Sequence, residues 1–356
     1  MAYWLSKFVF SGLIIGVSAC AAPTPEASES DALTETSVDE DTEESGIGSV
    51  DVRSPALQEI VATDAKIEVL AEGFTWPEGP VWVEDEKALY FNDVPENKMY
   101  RWTAETGGEL FLTPSGGATP ETAPTMREPG ANGIIEWAGA PGKLLLADHG
   151  ARGLSVLDPE SLTRDTFVSS FEGQSLNSPN DIVARSDGAL FFTDPPYGLR
   201  GLNDAAEKEL AHNGVYLYQD GAPLKLVIDD LSFPNGIGLS PDESTLYVAV
   251  SDPNNAVILA YDLDADGNAT NGRVFFDAGP ELRDGGGLPD GMVVADNGTI
   301  FATGPEGVYV LAPDTGEVLG VVSTGMPTSN CTLNDDETYL YMTSSSVMAR
   351  IPVQLN

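Results

Sequence analysis

The chain has 356 residues and carries 56 acidic against 17 basic side chains, a formal charge of −39 at pH 7. A surface of that sign repels phosphate backbones and anionic bilayers, which excludes a nucleic-acid binder and any protein that reaches a membrane by basic charge. The hydrophobic share of 42% is ordinary, so a sizeable core can form once the N-terminal segment is set aside.

That segment reads as targeting rather than structure. Lys7 is the lone charge of the first twenty residues, Phe8 to Ala19 is a short apolar run, and Val17-Ser18-Ala19-Cys20 ends it. The run is too short to span a bilayer comfortably but suits the core of a signal peptide. Cleavage before Cys20 with lipid on its thiol is the pattern of a bacterial lipoprotein, so residues 1–20 are expected to be a lipoprotein signal peptide. Ala21 gives no acidic inner-membrane retention signal, which points to a lipid anchor in the outer membrane facing the periplasm, the only membrane contact expected. From Ala21 to about Asp51 the chain holds ten acidic residues and no basic one. Residues 21–60 are therefore expected to be a disordered acidic linker, and residues 61–356 the folded domain. With Cys20 lipidated, Cys331 has no partner, so no disulfide is expected and Cys331 reads as a small core residue.

Beyond the linker, an apolar strand pattern opens six times on one polar residue. The openings are Glu78-Gly-Pro-Val-Trp-Val, Asn132-Gly-Ile-Ile, Asn180-Asp-Ile-Val, Asn235-Gly-Ile-Gly-Leu, Asp290-Gly-Met-Val-Val and Asn330-Cys-Thr-Leu. Five are followed by polar turns such as Ser186-Asp187-Gly188 and Asp296-Asn297-Gly298. All six lead to a second apolar run, of which Ala88-Leu-Tyr-Phe and Thr299-Ile-Phe-Ala are examples. The openings recur about every 40–55 residues, the period of four-stranded propeller blades. Third strands follow in all six repeats and fourth strands in five. The sixth repeat runs out of chain after three, and Lys66–Leu70 is available upstream to complete it. The expected fold is thus all-β, a six-bladed β-propeller of four-stranded antiparallel blades, closed by its N-terminal strand so that no edge stays open.

Propeller topology sends the start of every inner strand to one axis. Glu78, Asn132, Asn180, Asn235, Asp290 and Asn330 are expected to converge there. The ends of the second strands (Asp93, His149, Asp194, Asp252, Gly304) should ring the same mouth. The insertion Tyr197–Asn213 should lie on that side as a lid, while Pro114–Pro129 has no clear place. Carboxylate and amide oxygens suit Ca²⁺, and the absence of His or Cys at the openings argues against zinc, although Mg²⁺ and Zn²⁺ stay open as other divalent cations. Two facing carboxylates without a cation would be strongly unfavourable. Asp262-Leu-Asp264-Ala-Asp266-Gly267 imitates a calcium loop, but Arg273 stands where a bidentate Glu is needed, so it reads as a hairpin turn. Ser-His-Asp, zinc-protease and phosphate-loop signatures are lacking.

The motifs Trp76-Pro-Glu78-Gly-Pro-Val-Trp, Ala147-Asp-His149-Gly, Asn177-Ser-Pro-Asn180-Asp, Phe191-Phe-Thr-Asp-Pro-Pro-Tyr197-Gly, Phe233-Pro-Asn235-Gly and Pro289-Asp290-Gly-Met resemble the gluconolactonase and regucalcin family of six-bladed propellers. The resemblance covers residues 66–352 or so. It implies that Glu78, Asn235 and Asp290 are metal ligands and that Asn180 binds metal or substrate; the position of Asn132 and His149 at the same mouth makes them further expected substrate contacts. The arginine that regucalcin-like members carry two residues before this asparagine is Ser178 here. The function implied is a Ca²⁺-dependent hydrolase of small-molecule lactones, with Asp290 both ligand and base and His149 the other candidate base. Phosphotriester hydrolysis in the same cup and a non-enzymatic calcium- or ligand-binding envelope propeller are the alternative readings. Nothing in the sequence fixes the oligomeric state.

Overall fold

The computed structural model describes residues 46–283 and 286–355. The signal peptide, Cys20 and most of the acidic linker lie outside the described residues. Six antiparallel blades form a ring, a six-bladed β-propeller. In each, antiparallel neighbours run outward from an inner strand at the axis to an outer strand at the rim. Blade 1 comprises Pro77–Val83, Ala88–Asp93, Lys98–Thr103 and Gly107–Leu112. Blade 2 comprises Ala131–Glu136, Leu144–Asp148, Gly153–Asp158 and Thr163–Val168. Blade 3 holds Ile182–Ala184, Leu190–Asp194, Asn213–Tyr218 and Lys225–Leu231. Blade 4 holds Pro234–Leu239, Thr245–Val250, Val257–Leu263 and Ala269–Asp277, and the loop that imitates a calcium site is its last hairpin turn. Blade 5 contains Met292–Val294, Ile300–Gly304, Gly307–Leu311 and Val318–Ser323.

Blade 6 contains Thr328–Leu333, Tyr339–Ser344 and Val347–Pro352, and its outer strand comes from the other end of the chain. Glu68–Glu72 pairs antiparallel with Val347–Pro352, two residues later than the expected Lys66–Leu70, because Ile67 forms a bridge with Ile47 instead. Arg350 seals this closure: its Nε donates to Glu68 Oε2 at 2.8 Å, and its guanidinium lies over the Tyr339 ring at 4.4 Å.

The expected linker boundary at residue 60 lies inside ordered structure. Ser49–Val52 adds a fifth strand to blade 5, pairing with Val318–Ser323. Leu57 and Val61 follow it into a core shared with Phe301, Val308, Leu340 and Ile351. The reason is compositional: past Glu44 the acidic run gives way to Ile47, Val50, Val52, Leu57 and Val61, enough apolar surface to bury. Between blades the core is aromatic. Tyr90, Phe91, Phe191, Phe192, Phe301, Tyr309 and Tyr341 are all but fully buried. Each stabilises the ring by about 1.5–3 kcal/mol, judged by the apolar surface it removes from water. Cys331 is buried in this core, its Sγ donating to Phe301 O.

Candidate functional site

The axis is built by backbone as much as by side chains. The N–H after one opening residue reaches the next blade: Gly133 N donates to Asn180 O at 2.8 Å, Gly236 N to Asp290 O at 3.0 Å, and Gly291 N to Ser329 O at 2.8 Å. This explains the recurring pair of polar residue and glycine. A Cβ at Gly79 would stand 2.0 Å from Asn132 O, and one at Gly236 would stand 2.1 Å from Asp290 O. Register breaks between Glu78 and Val81, Ala131 and Ile134, and Pro234 and Ile237 show bulges at the openings. A bulge re-aims a side chain, and here it marks where the openings turn to the axis. Threonines of the second strands clasp the openings from behind. Thr303 Oγ1 accepts from Asp290 N at 3.1 Å, Thr193 Oγ1 accepts from Asp181 N at 3.2 Å, and Thr343 Oγ1 accepts from Asn330 N at 2.9 Å.

Above the axis opens a cavity of about 370 Å³ lined by Glu78, Asn132, Asn180, Asn235 and Asp290, five of the six expected residues. Asn330 is turned away. Its Nδ2 donates to Glu78 Oε2 at 3.1 Å and its Oδ1 accepts from Cys331 N, so it orients Glu78 rather than lining the cup. With Asp181 it lines a second space of about 300 Å³, walled largely by inner-strand apolar residues. Glu78 Oε2 also accepts from Gly79 N at 3.1 Å, which leaves Oε1 for a ligand. Asn235 Nδ2 donates to Ser251 Oγ at 2.9 Å, which leaves its amide oxygen. Asp290 Oδ1 and Asn132 Oδ1 are shielded from solvent and have no partner among the described residues. Every one of these free atoms is an oxygen, and shielded acceptors without donors are what a hard cation requires.

The electrostatics agree. Burial pushes the Glu78 carboxyl up to about 8, against the pull of its bonds from Asn330 and Gly79, and the charges of Asp181 and Glu128 add to the rise. Desolvation, then the charge of Glu78, holds Asp290 well above the usual carboxylate range. The acids at the second-strand ends have a different task. Asp93 accepts from Thr75 N and Trp76 N, and Asp194 accepts from Asn177 N and Ser178 N, each anchoring the turn into its inner strand. Asp148 does the same for Gly117 and Ala151.

His149 departs from expectation. Its ring is fully buried and does not line the cavity, and both ring nitrogens are without a partner among the described residues. Burial, then the Arg127 charge, lowers its pKa to about 3, so it is neutral. Glu128 stands in its place, a buried cavity-lining carboxylate with Oε2 3.6 Å from His149 Nδ1. Trp76, Arg127, Tyr197 and Ser251 complete the polar and aromatic wall. Arg127, Glu128 and Tyr197 arrive on the two insertions, and no strand periodicity announces them. The one available signal was the length of those insertions. Ser178 braces the second insertion: its Oγ donates to Pro195 O at 2.6 Å and accepts from Gly198 N at 2.9 Å.

Comparison with known proteins agrees with this architecture. The chain is 41% identical over 311 residues to a gluconolactonase of Zymomonas mobilis, covering 86% of each chain. It is 29% identical over 279 residues to an L-arabinolactonase of Azospirillum brasilense, covering 77% of this chain and 82% of that one. Among solved structures, a gluconolactonase from Xanthomonas campestris superposes with a TM-score of 0.73 at 29% identity, covering 86% of this chain and 97% of that one. The family model described as the SMP-30/gluconolactonase/LRE-like region matches residues 76–346, and the chain belongs to that family of lactonase-like hydrolases.

Proposed function

We propose that the protein is a Ca²⁺-dependent lactone hydrolase acting in the cup. The observation that carries this reading is that Glu78 and Asp290 line one cavity, where burial, then the charge of Glu78, raises the proton affinity of Asp290 while its Oδ1 has no partner among the described residues. Two such groups need a proton or a cation between them. Glu78, Asn180, Asn235 and Asp290 would hold the ion, and an all-oxygen set fits Ca²⁺ rather than a zinc site of His and Cys. When bound, the cation polarises a carbonyl and offsets the negative charge that develops on its oxygen.

The chain's own residues supply the rest. Asp290 takes a proton from the water whose oxygen adds to the lactone carbonyl carbon. As the ring C–O bond breaks, the departing oxygen takes that proton, and a hydroxy acid leaves the cup. The Asn132 and Asn180 amides orient the substrate at the floor. Trp76, Leu288 and Pro327 wall the cavity with apolar surface that keeps bulk water from the reacting carbon. His149, buried behind Glu128 and outside the cavity lining, is not placed to reach the reacting water, which leaves Asp290 as the base. The same reading gives the N-terminal segment its task, a lipid on Cys20 tethering the enzyme at the bacterial envelope on the periplasmic side. The deciding experiment follows hydrolysis of five- and six-membered lactones and aryl phosphotriesters by chelator-treated protein with and without added Ca²⁺. Calcium-restored lactone turnover is expected. Lactone turnover that persists in chelator, or phosphotriester turnover alone, defeats the reading.

A further inference from the structure

Two insertions meet over the cup and are bolted together. Arg127 N donates to Gly198 O at 3.0 Å, and Arg127 Nη1 donates to Tyr197 O at 3.2 Å. From the other side, Arg200 donates to the carbonyls of Thr125 at 3.2 Å, Met126 at 2.9 Å and Pro124 at 3.4 Å. Ser178 holds the far insertion from below through Pro195 and Gly198. The bridge so formed places Arg127, Glu128 and Tyr197 in the cavity wall. Arg127 is the sole cation among the described residues of that wall.

What the bridge presents is a polar face with unused capacity. Glu128 Oε1 takes Arg127 Nη1 at 2.7 Å, but Oε2 has only the His149 ring at 3.6 Å, too far for a hydrogen bond. The Tyr197 hydroxyl is buried near Ser251 and Asn235 but has no partner at hydrogen-bond distance among the described residues, and its ring is fixed by stacking on Phe233 at 5.8 Å. Both nitrogens of His149, behind Glu128, likewise have no partner at hydrogen-bond distance among the described residues. Leaving several adjacent polar groups unsatisfied costs about 1–3 kcal/mol each, so such a cluster is expected only where a ligand completes it. Its chemistry identifies that ligand. One carboxylate is too few for a second cation, and the guanidinium is already neutralised by Glu128, which disfavours an anion. Groups that both donate and accept remain, and on a lactone these are its ring hydroxyls. A carboxylate accepts from a hydroxyl while the guanidinium and phenol donate to its neighbour.

Resting on the lactonase reading above, we propose that Arg127 and Glu128 form the subsite that grips the ring hydroxyls of the lactone, with Arg200 as the positioning residue that holds the bridge over the cup. The pair is then specificity-determining: it distinguishes hydroxylated lactones from bare ones and takes no part in breaking the ring.

The test compares kcat/KM for glucono-1,5-lactone with that for δ-valerolactone, the same ring without hydroxyls, at saturating Ca²⁺. In Glu128→Gln the ratio between the two substrates is expected to fall about tenfold or more, through KM of the hydroxylated lactone. In Arg200→Ala, which changes no cavity-lining side chain, the ratio is expected to fall in the same direction by a smaller factor. An unchanged ratio in Glu128→Gln, whether or not both rates decline together, overturns the proposal. Should that variant lose its cooperative thermal transition, Arg200→Ala decides by the same criterion. Wild-type protein that hydrolyses neither lactone defeats the lactonase reading itself, and the subsite with it.

Discussion

Glu78 and Asp290 occupy matching places on the axis but are held differently, and the difference predicts separable defects. Glu78 is committed on one oxygen to Asn330 and Gly79, so Glu78→Gln removes charge without removing the fold's own bonds. Calcium affinity should fall about tenfold or more, and excess Ca²⁺ should restore part of the turnover. Asp290→Asn also removes the proton acceptor, so kcat should stay about 10²–10⁴-fold low even at full calcium occupancy. Calorimetric calcium titration alongside kcat distinguishes them, and full turnover of Asp290→Asn would reduce that residue to a ligand. The same pair sets a pH dependence. Glu78 is raised to about 8 in the folded chain from 4.5, so across that window the folded state binds more protons than the unfolded one. Stability of chelator-treated protein should therefore be greatest near pH 5 and decline as pH rises toward 8. Calcium, which favours the ionised carboxylates, should flatten that slope in thermal unfolding scans. A chelator-treated midpoint that rises from pH 5 to pH 8 would contradict the account.

At the scale of the element, the inner strands do two jobs at one place. They carry the polar side chains that line the cup, and they let neighbouring blades approach closely enough to share backbone hydrogen bonds. Gly236 shows the coupling, since its N–H reaches Asp290 O and a Cβ there would stand 2.1 Å from the same oxygen. Gly236→Ala should destabilise the protein by about 1–3 kcal/mol, the usual cost of forcing a methyl into packed surroundings. It should also weaken calcium binding, because the strain is relieved by moving Asp290. Urea unfolding and calcium titration of this variant check both halves, and wild-type values in each would show that the glycine is incidental. The insertions are the contrasting elements. They belong to no blade, yet through Arg200 and Ser178 they bring Glu128 to the cup.

The whole ring depends on its N-terminal strand. A chain beginning at residue 45 retains both Ser49–Val52 and Glu68–Glu72 and should unfold as one cooperative unit near the full-length midpoint. A chain beginning at residue 74 leaves Val347–Pro352 as an open edge and loses the packing of Leu57 and Val61. It should be insoluble or strongly destabilised, and wild-type stability in that truncation would refute closure as the stabilising feature. Cys20→Ser should move the protein from the membrane fraction to the soluble one, provided that Cys20 is the anchor; no change in fractionation would count against it.

The sequence alone determined the number of blades, because Leu, Val, Ile and aromatic residues alternate with turns at a fixed period and each opening begins with a polar residue that such a period sends to the axis. It likewise directed Glu78, Asn180, Asn235 and Asp290 to one mouth, and all four line one cavity. Three matters were settled only by tertiary structure, since each depends on contacts between residues far apart in the chain. Asn330 turns from the cup to Glu78, 252 positions away. His149 is buried and Glu128 takes its place, because the insertion carrying Glu128 is fastened to Gly198 and Arg200. Ser49–Val52, inside the stretch expected to be linker, pairs with the outer strand of blade 5, an edge more than 260 positions away in the chain. Local pattern encodes what a strand is and which way it faces. Which loop covers the mouth, and which polar group is left without a partner there, follows only from how distant elements compete for the same buried hydrogen bonds.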